Sequence, residues 1–143
     1  MAERQRRICV QSLDGYRNRI VNAGGFETAA DEPVAAGGDG AGLGPFEMVA
    51  AGLGACTSIT LKMYAERKQW PLGEVSVELR YVRAGEQGTA PDGPDLIHRA
   101  ITLSGPLDAT QRERLATVAA RCPVARALGR GTATIIDRLS PET

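Results

Sequence analysis

The longest predicted secondary-structure element of this chain spans residues 45–69, PFEMVAAGLGACTSITLKMYAERKQ. Pro45 suits the first turn of a helix, no second proline interrupts the stretch, and Trp70-Pro71 follows it, so a helix is predicted over Pro45–Gln69. Its first half is apolar on every side and its second half is amphipathic. We therefore expect the part of the helix around Cys56 to be buried on all faces.

The chain before this helix is predicted to form a meander of three strands. Apolar and β-branched residues occupy 7–12, 16–22 and 26–30, and the intervening turns carry Asp14-Gly15 and Gly24-Gly25. A glycine-rich stretch, 37–44, matches no phosphate-binding pattern and is expected to be a flexible surface loop.

The chain after the helix switches to a period of two. Val75, Val77, Leu79 and Tyr81 alternate with polar residues, and a second strand is predicted over Leu96–Ser104, so the two form a hairpin. Asp108 with Gln111 is a capping pair for a further helix, and Pro123 ends that helix or starts the next, a short piece over Pro123–Leu128. A last strand is predicted over Thr132–Leu139. The order predicts a single α+β domain over residues 1–143.

Composition narrows the classes of partner. Among 143 residues, 17 basic and 17 acidic side chains cancel, so we expect no nucleic-acid partner and no membrane. The first ten residues lack the apolar stretch of a signal peptide, and a cytoplasmic location is expected. Aromatic residues make up only 4%, and a core so short of large side chains makes a homodimer plausible.

Three cysteines are candidates for chemistry: Cys9, Cys56 and Cys122. They form no CxxC pair and no metal-ligand spacing, and the chain has one histidine, so no metal site is expected. In a reducing compartment such residues are either buried apolar side chains or reactive thiols. Position alone favours inert burial for Cys56, leaves Cys122 ambiguous and makes Cys9 structural.

The cysteines gain significance from the sequence around them. The stretch 44–57, GPFEMVAAGLGACT, continues in MYAERK at 63–68; Asp31-Glu32-Pro33 and Gly37-Gly38 precede it, and Cys122-Pro123-Val124 follows. Together these motifs resemble the OsmC/Ohr family of organic hydroperoxide reductases, in its OsmC-like branch, over nearly the whole chain.

The resemblance implies an OsmC-like α+β fold of about six strands, an intertwined homodimer in which two sheets wrap a pair of central helices, with each active site at the interface. It implies a thiol peroxidase in which Cys56 attacks an organic hydroperoxide and Cys122 resolves the product as a disulfide. Glu47 matches the family's glutamate, which partners an arginine near the thiolate; Arg17 is the first candidate for that arginine and Arg19 the next.

The resemblance also implies no bound cofactor and an external dithiol reductant, a protein carrying a dihydrolipoyl group. The sequence departs from many relatives at Ala125, where they have histidine, so no proton donor is assigned there. His98 is read as a surface residue on a strand. A non-catalytic redox sensor, whose cysteines signal by forming a disulfide, is the alternative.

The chemistry of cysteine explains why the proposed site needs an arginine. A cysteine with a pKa of about 8.5 is only about 3% thiolate at pH 7, and burial reduces that fraction further, so a neighbouring cation is required. Glu47 and Cys56 are nine residues apart, which places them on opposite faces and roughly 13 Å apart along a helix. We therefore expect Glu47 to serve the thiol of the partner subunit.

Overall fold

The structure is a computed structural model that describes residues 6–131 and 134–138. Its elements, in chain order, are three short strands, a long helix, two longer strands and two helices. Their bounds are β1 Ile8–Ser12, β2 Asn18–Asn22, β3 Glu27–Ala30, α1 Pro45–Lys68, β4 Val75–Val82, β5 Leu96–Leu103, α2 Ala109–Ala119 and α3 Pro123–Arg130. The predicted α+β class is confirmed.

The chain divides into two compact units. The first unit comprises Met1–Ala51 and Tyr81–Leu96, and the second unit comprises Gly52–Arg80 and Ile97–Thr143. The boundary falls within α1, near the end of β4 and at the start of β5, so these elements contribute residues to both units.

The first unit contains the predicted meander. β1, β2 and β3 pair antiparallel in that order, with Cys9 opposite Val21 and Asn18 opposite Ala30. Gly15 and Gly25 supply the positive φ angles of the two connecting turns. All five residues of β1 are exposed, so within the described chain neither face of this edge strand is covered.

Most of the glycine-rich stretch lies at the surface, as predicted, and one buried carboxylate binds its backbone. Asp31 is 2% exposed, and its side chain accepts hydrogen bonds from the backbone N–H groups of Glu32 at 2.8 Å and of Asp39 and Ala41 at 3.1 Å. A Cβ on Gly38 would lie 2.0 Å from the Glu32 carbonyl oxygen, so this position requires glycine. The loop therefore wraps closely around a buried acid.

Helix α1 forms where the sequence predicts it. It begins at Pro45, where the Glu47 side chain accepts from the Gly44 N–H at 2.9 Å, and it ends before Gln69, which adopts φ of +56°. By length and composition α1 could also span a membrane, a test that the core helix of a globular protein passes as well.

The burial of α1 is one-sided, contrary to the expectation for its first half. Cys56 is half-buried, and Ala51, Gly52 and Ala55 are exposed, as is Ile59 at 58%. The single chain packs against one side of the helix and leaves the other side to solvent, which is why an apolar pattern alone overstated the burial.

The core of the second unit joins α1 to α2. Leu61, Leu115, Val118 and Ala119 are buried together, and partly buried side chains of both longer strands pack against them. β4 and β5 form the predicted two-stranded hairpin. The Asp108–Gln111 capping box is present at the start of α2, and Pro123 starts α3.

The predicted last strand is wrong over the part that is described. Residues 134–138 have no regular secondary structure, and Ile135 and Ile136 are 82% and 90% exposed. A strand needs a neighbour to satisfy its backbone hydrogen bonds, and within residues 6–131 and 134–138 this segment pairs with none. The remaining residues of that prediction lie outside the described residues.

Candidate active site

Cys56 lies in the part of α1 that belongs to the second unit. Its side chain is half-buried, and its Sγ is 3.9 Å from Thr60 Oγ1, one turn along the helix. The next residue, Thr57, is fully buried and donates its hydroxyl to the Leu53 carbonyl at 2.7 Å. The helix thus presents an accessible thiol beside a buried hydroxyl.

Cys122 occupies the N-cap of α3 and is completely buried. Its Sγ accepts a hydrogen bond from the Ala125 N–H at 3.3 Å, and its own N–H donates to the Ala119 carbonyl at the end of α2, also at 3.3 Å. Pro123 at the first helical position has no N–H and a backbone angle that suits the turn. The sequence CPV at 122–124 therefore creates a thiol that caps a helix.

The structure brings these two cysteines together. The Cys122 thiol lies 3.9 Å from Oγ1 of Thr57, the residue after Cys56, and the Cys56 side chain is among the groups that lower the pKa of Cys122; both cysteines are free. A disulfide between Cys56 and Cys122 requires the two sulfurs to meet, although the residues are 66 positions apart in the chain. In the second unit, the Cys122 sulfur lies beside Thr57, the neighbour of Cys56 on α1; the pairing of the two cysteines stays a prediction.

An arginine adjoins the pair. Arg99, on β5, donates from Nη1 to Thr57 Oγ1 at 3.0 Å and to the Ala119 carbonyl at 3.3 Å. Sequence analysis missed this residue. A signal was present, because Arg99 shares its strand face with Ile97, Ile101 and Leu103, and a charged residue within an apolar alternation needs a buried partner.

The surroundings of Cys122 favour its thiolate. Burial raises the pKa of Cys122, but hydrogen bonds from the Ala125 N–H, Cys56 and Thr57, together with the positive charge of Arg99, outweigh burial and hold the pKa below its ordinary value. A helix N-terminus acts in the same direction on a cysteine. The groups that stabilise a thiolate thus converge on the buried cysteine.

The predicted arginines lie in the first unit. Arg17 is half-buried, and its guanidinium is 3.7 Å from both Asp14 and Asp39, while its Nε has no hydrogen-bond partner. Arg19 is exposed and forms an ion pair with Glu27. Arg19 is therefore already neutralised, and Arg17 retains an unused donor. The assignment of Arg17 and Glu47 to the thiolate stays a prediction.

The two sequence neighbours of Arg17, Tyr16 and Asn18, help to line a cleft of about 680 Å³. It is lined wholly by residues of the first unit: Ser12, Gly15, Tyr16, Asn18, Ala30, Asp31, Glu32, Ala36 and Pro45. None of these is a cysteine, so the cleft offers no thiol of its own to a substrate.

The other candidates take no part in the thiol pair. His98 is exposed on β5, as its reading as a surface residue requires, and Cys9 is exposed on β1. Ala125 contributes through its backbone N–H, and so its lack of a side-chain donor does not disturb the cap. Within residues 6–131 and 134–138, no group of three or more potential ligands could hold a metal ion.

Comparison with known proteins identifies the family and the fold of the chain. Residues 37–137 match the family model described as OsmC-like protein. No curated protein matches the chain. Many solved structures share the fold, and three of them, with TM-scores from 0.61 to 0.72, are described next.

An OsmC-like protein from Mycoplasma pneumoniae has a TM-score of 0.72 at 20% identity, covering 90% of this chain and 89% of that one. The organic hydroperoxide resistance protein OsmC from Legionella pneumophila has 0.65 at 20%, covering 89% and 90%. The organic hydroperoxide resistance protein OhrB of Bacillus subtilis has 0.61 at 22%, covering 90% and 92%. Since the family model spans most of the chain and the fold agrees, this chain belongs to the OsmC-like protein family.

Proposed function

We propose that this protein is a thiol-dependent peroxidase that reduces organic hydroperoxides. Cys56 is the peroxidatic cysteine and Cys122 the resolving cysteine. The placement of Cys122 Sγ 3.9 Å from Thr57, the residue after Cys56, carries the proposal, because a resolving thiol must reach the oxidised sulfur and both thiols are free. Family members named organic hydroperoxide resistance proteins support the substrate class.

The difference in burial supports the division of roles. Cys56 is half-buried, so a small substrate can approach its thiol. Cys122 is fully buried, so a substrate cannot reach its thiol directly. The accessible thiol therefore reacts first. The buried thiol reacts afterwards with its neighbour.

The reaction balances in two steps. The Cys56 thiolate attacks the terminal oxygen of ROOH, the O–O bond breaks, and the alkoxide takes a proton and leaves as ROH. The Cys122 thiolate then attacks the Cys56 sulfenic acid, the S–O bond breaks, and hydroxide leaves and becomes water. A dithiol reductant, which we propose carries a dihydrolipoyl group, reduces the disulfide by two electrons.

The exposed apolar surface supports a homodimer. On α1, Ile59 and Met63 are 58% and 60% exposed, and in the first unit Val10 and Phe26 are 58% and 69% exposed. Large apolar side chains that are exposed on each unit are typical of surfaces that bind another chain. We propose that a second copy of the chain covers these side chains, as in an isologous dimer.

Within such a dimer, Glu47 serves the thiol of the other subunit. Residues nine positions apart on the continuous helix α1 lie about 13 Å apart along its axis and on opposite faces. We propose that Arg17, held by Glu47, is the cation beside the Cys56 thiolate. Mixed dimers of Glu47→Ala and Cys56→Ser subunits should regain activity that neither parent has; activity no higher than that of the parents contradicts this arrangement.

Turnover tests the proposed activity and separates it from a redox sensor. With cumene hydroperoxide and dihydrolipoamide, we expect many turnovers per subunit, none in Cys56→Ser, and an unchanged rate in Cys9→Ser, the matched control. A sensor would oxidise once and stop. Consumption of one equivalent or less of hydroperoxide, with reductant in excess, contradicts the peroxidase.

A further inference from the structure

The position of Arg99 behind the thiol pair is the starting observation. Arg99 is half-buried on the inner face of β5, between Ile97 and Ile101. A guanidinium on an apolar face is costly to desolvate unless its donors are used. Two of its hydrogen bonds, both from Nη1, reach Thr57 Oγ1 and the Ala119 carbonyl.

Both atoms that accept hydrogen bonds from Arg99 also contact Cys122. The Ala119 carbonyl also accepts the backbone N–H of Cys122, so Arg99 and Cys122 share one oxygen. Thr57 Oγ1 lies 3.9 Å from Cys122 Sγ. Arg99 thereby fixes both the backbone of Cys122 and the hydroxyl that contacts its sulfur.

The hydroxyl has a defined orientation. Thr57 Oγ1 carries one proton, which it donates to the Leu53 carbonyl at 2.7 Å, and it accepts from Arg99 at 3.0 Å. While Cys122 is protonated, its S–H can donate to the lone pair that remains on Thr57 Oγ1; once Cys122 is ionised, the hydroxyl can rotate from Leu53 and donate to the sulfur, which favours the thiolate. When Cys122 loses its proton, the nearby guanidinium charge offsets the new negative charge.

We propose that Arg99 is a positioning residue for the resolving step, which holds Thr57 and Ala119 around Cys122 and keeps its sulfur directed at Cys56 as a nucleophile. The inference rests on the proposed peroxidase function and deepens it. It assigns to the second cysteine a cation of its own, on β5, whereas Arg17 lies just before β2. In the resolving step, the S–S bond forms as the S–O bond of the sulfenic acid breaks, and hydroxide leaves.

Single-turnover measurements on the full-length protein test this role. Reduced protein is mixed with one equivalent of cumene hydroperoxide. Trapping with dimedone measures sulfenic acid at Cys56, and mass spectrometry of quenched samples measures the disulfide. In Arg99→Gln, sulfenic acid should form within about twofold of the wild-type rate, while disulfide formation should slow by about tenfold, the effect of losing a charged hydrogen bond.

The pH profile of disulfide formation separates positioning from a merely structural role. Removing the cation disfavours the Cys122 thiolate, so the pH of half-maximal rate should move upward in Arg99→Gln and return toward the wild-type value in Arg99→Lys. Arg112→Gln is the matched control, because exposed Arg112 also donates to two backbone carbonyls of the second unit, those of Leu103 and Gly105.

The outcomes are distinct. If the wild type forms no sulfenic acid at Cys56, the proposed function itself fails. If the wild type forms both species and Arg99→Gln matches Arg112→Gln in rate or in pH midpoint, only the role of Arg99 is overturned. Should Arg99→Gln fail to fold, Thr57→Val decides in the same assay: an upward midpoint supports the proposal, and an unchanged one overturns it.

Discussion

Cys122 Sγ accepts a hydrogen bond from the Ala125 N–H at 3.3 Å, so the buried cysteine caps the helix that follows it. This relationship gives the thiol a structural role and a chemical role at once. The N–H that the helix leaves without an intrahelical partner is satisfied by sulfur. The same donor favours the ionised form that a resolving step requires.

The titration of Cys122 follows from this cap. In Cys9→Ser/Cys56→Ser protein, Cys122 is the sole thiol, and its thiolate absorbance at 240 nm should rise with a midpoint below the ordinary thiol value of 9.0. Serine at position 56 retains a hydroxyl near the sulfur. A midpoint at or above 9.0 would show that burial prevails over the hydrogen bonds and the charge.

The stability of the reduced protein should depend on the same group. Because the pKa of Cys122 is lower in the folded protein than in the unfolded chain, its contribution is complete above the unfolded pKa and is lost as pH falls through the folded one. Urea unfolding of the Cys9→Ser/Cys56→Ser protein should show stability rising with pH across this window. The same protein with Cys122→Ser added should lack that rise; an equal rise in both assigns it to other groups.

The hydroxyl of Thr57 should contribute to stability as well as to positioning. Thr57→Val leaves an Arg99 donor without its acceptor in a buried place, and we expect a loss of about 1–3 kcal/mol in the free energy of unfolding. Thr57→Ser keeps the hydroxyl and should restore most of that loss. Denaturant titration of the wild type and the two variants measures the difference. Equal losses for Thr57→Val and Thr57→Ser would show that the methyl group of Thr57 contributes as much to stability as its hydroxyl.

Asp31 should make the glycine-rich loop sensitive to acid. The Ala41 N–H lowers the pKa of Asp31 against the opposing effect of burial, and the N–H groups of Glu32 and Asp39 lower it further, with a contribution from Arg17. Its stabilisation is therefore present above the unfolded pKa of about 3.9 and is lost as pH falls through the lower folded value. Asp31→Asn should unfold more readily at neutral pH and lose less on acidification. Asp14→Asn, at a fully exposed carboxylate, is the control, and identical acid profiles for the two variants would contradict this role.

The two sides of α1 should respond differently to substitution. Leu61 is fully buried against α2, and Leu61→Ala should cost about 2–5 kcal/mol in the free energy of unfolding. Ile59→Glu, on the exposed side, should instead separate the proposed dimer in sedimentation velocity. Lys62→Glu, an exposed change of charge on the same helix, should leave the dimer intact. A wild type that sediments as a monomer would remove the basis of this prediction.

Local signals in the sequence determined most of the elements. Pro45 and the residues before Pro71 predicted α1 to within one residue, Asp108 with Gln111 predicted the start of α2, and alternation predicted the β4–β5 hairpin. These signals succeed because caps and periodicities involve residues a few positions apart. The motifs around Cys56 and Cys122 also identified the family, which the match over residues 37–137 confirms.

Tertiary structure alone decided the surroundings of the thiols. Three arrangements join residues that are distant in the chain. They are the approach of Cys122 to Thr57 beside Cys56, the hydrogen bonds from Arg99 to Thr57 and Ala119, and the burial of Asp31 beneath its loop. The segment 134–138 shows the converse, since an apolar run becomes a strand only where a neighbour can pair with it. A single sequence records which side chains are available, but the folding of distant segments onto one another decides which charges and hydrogen-bond donors meet.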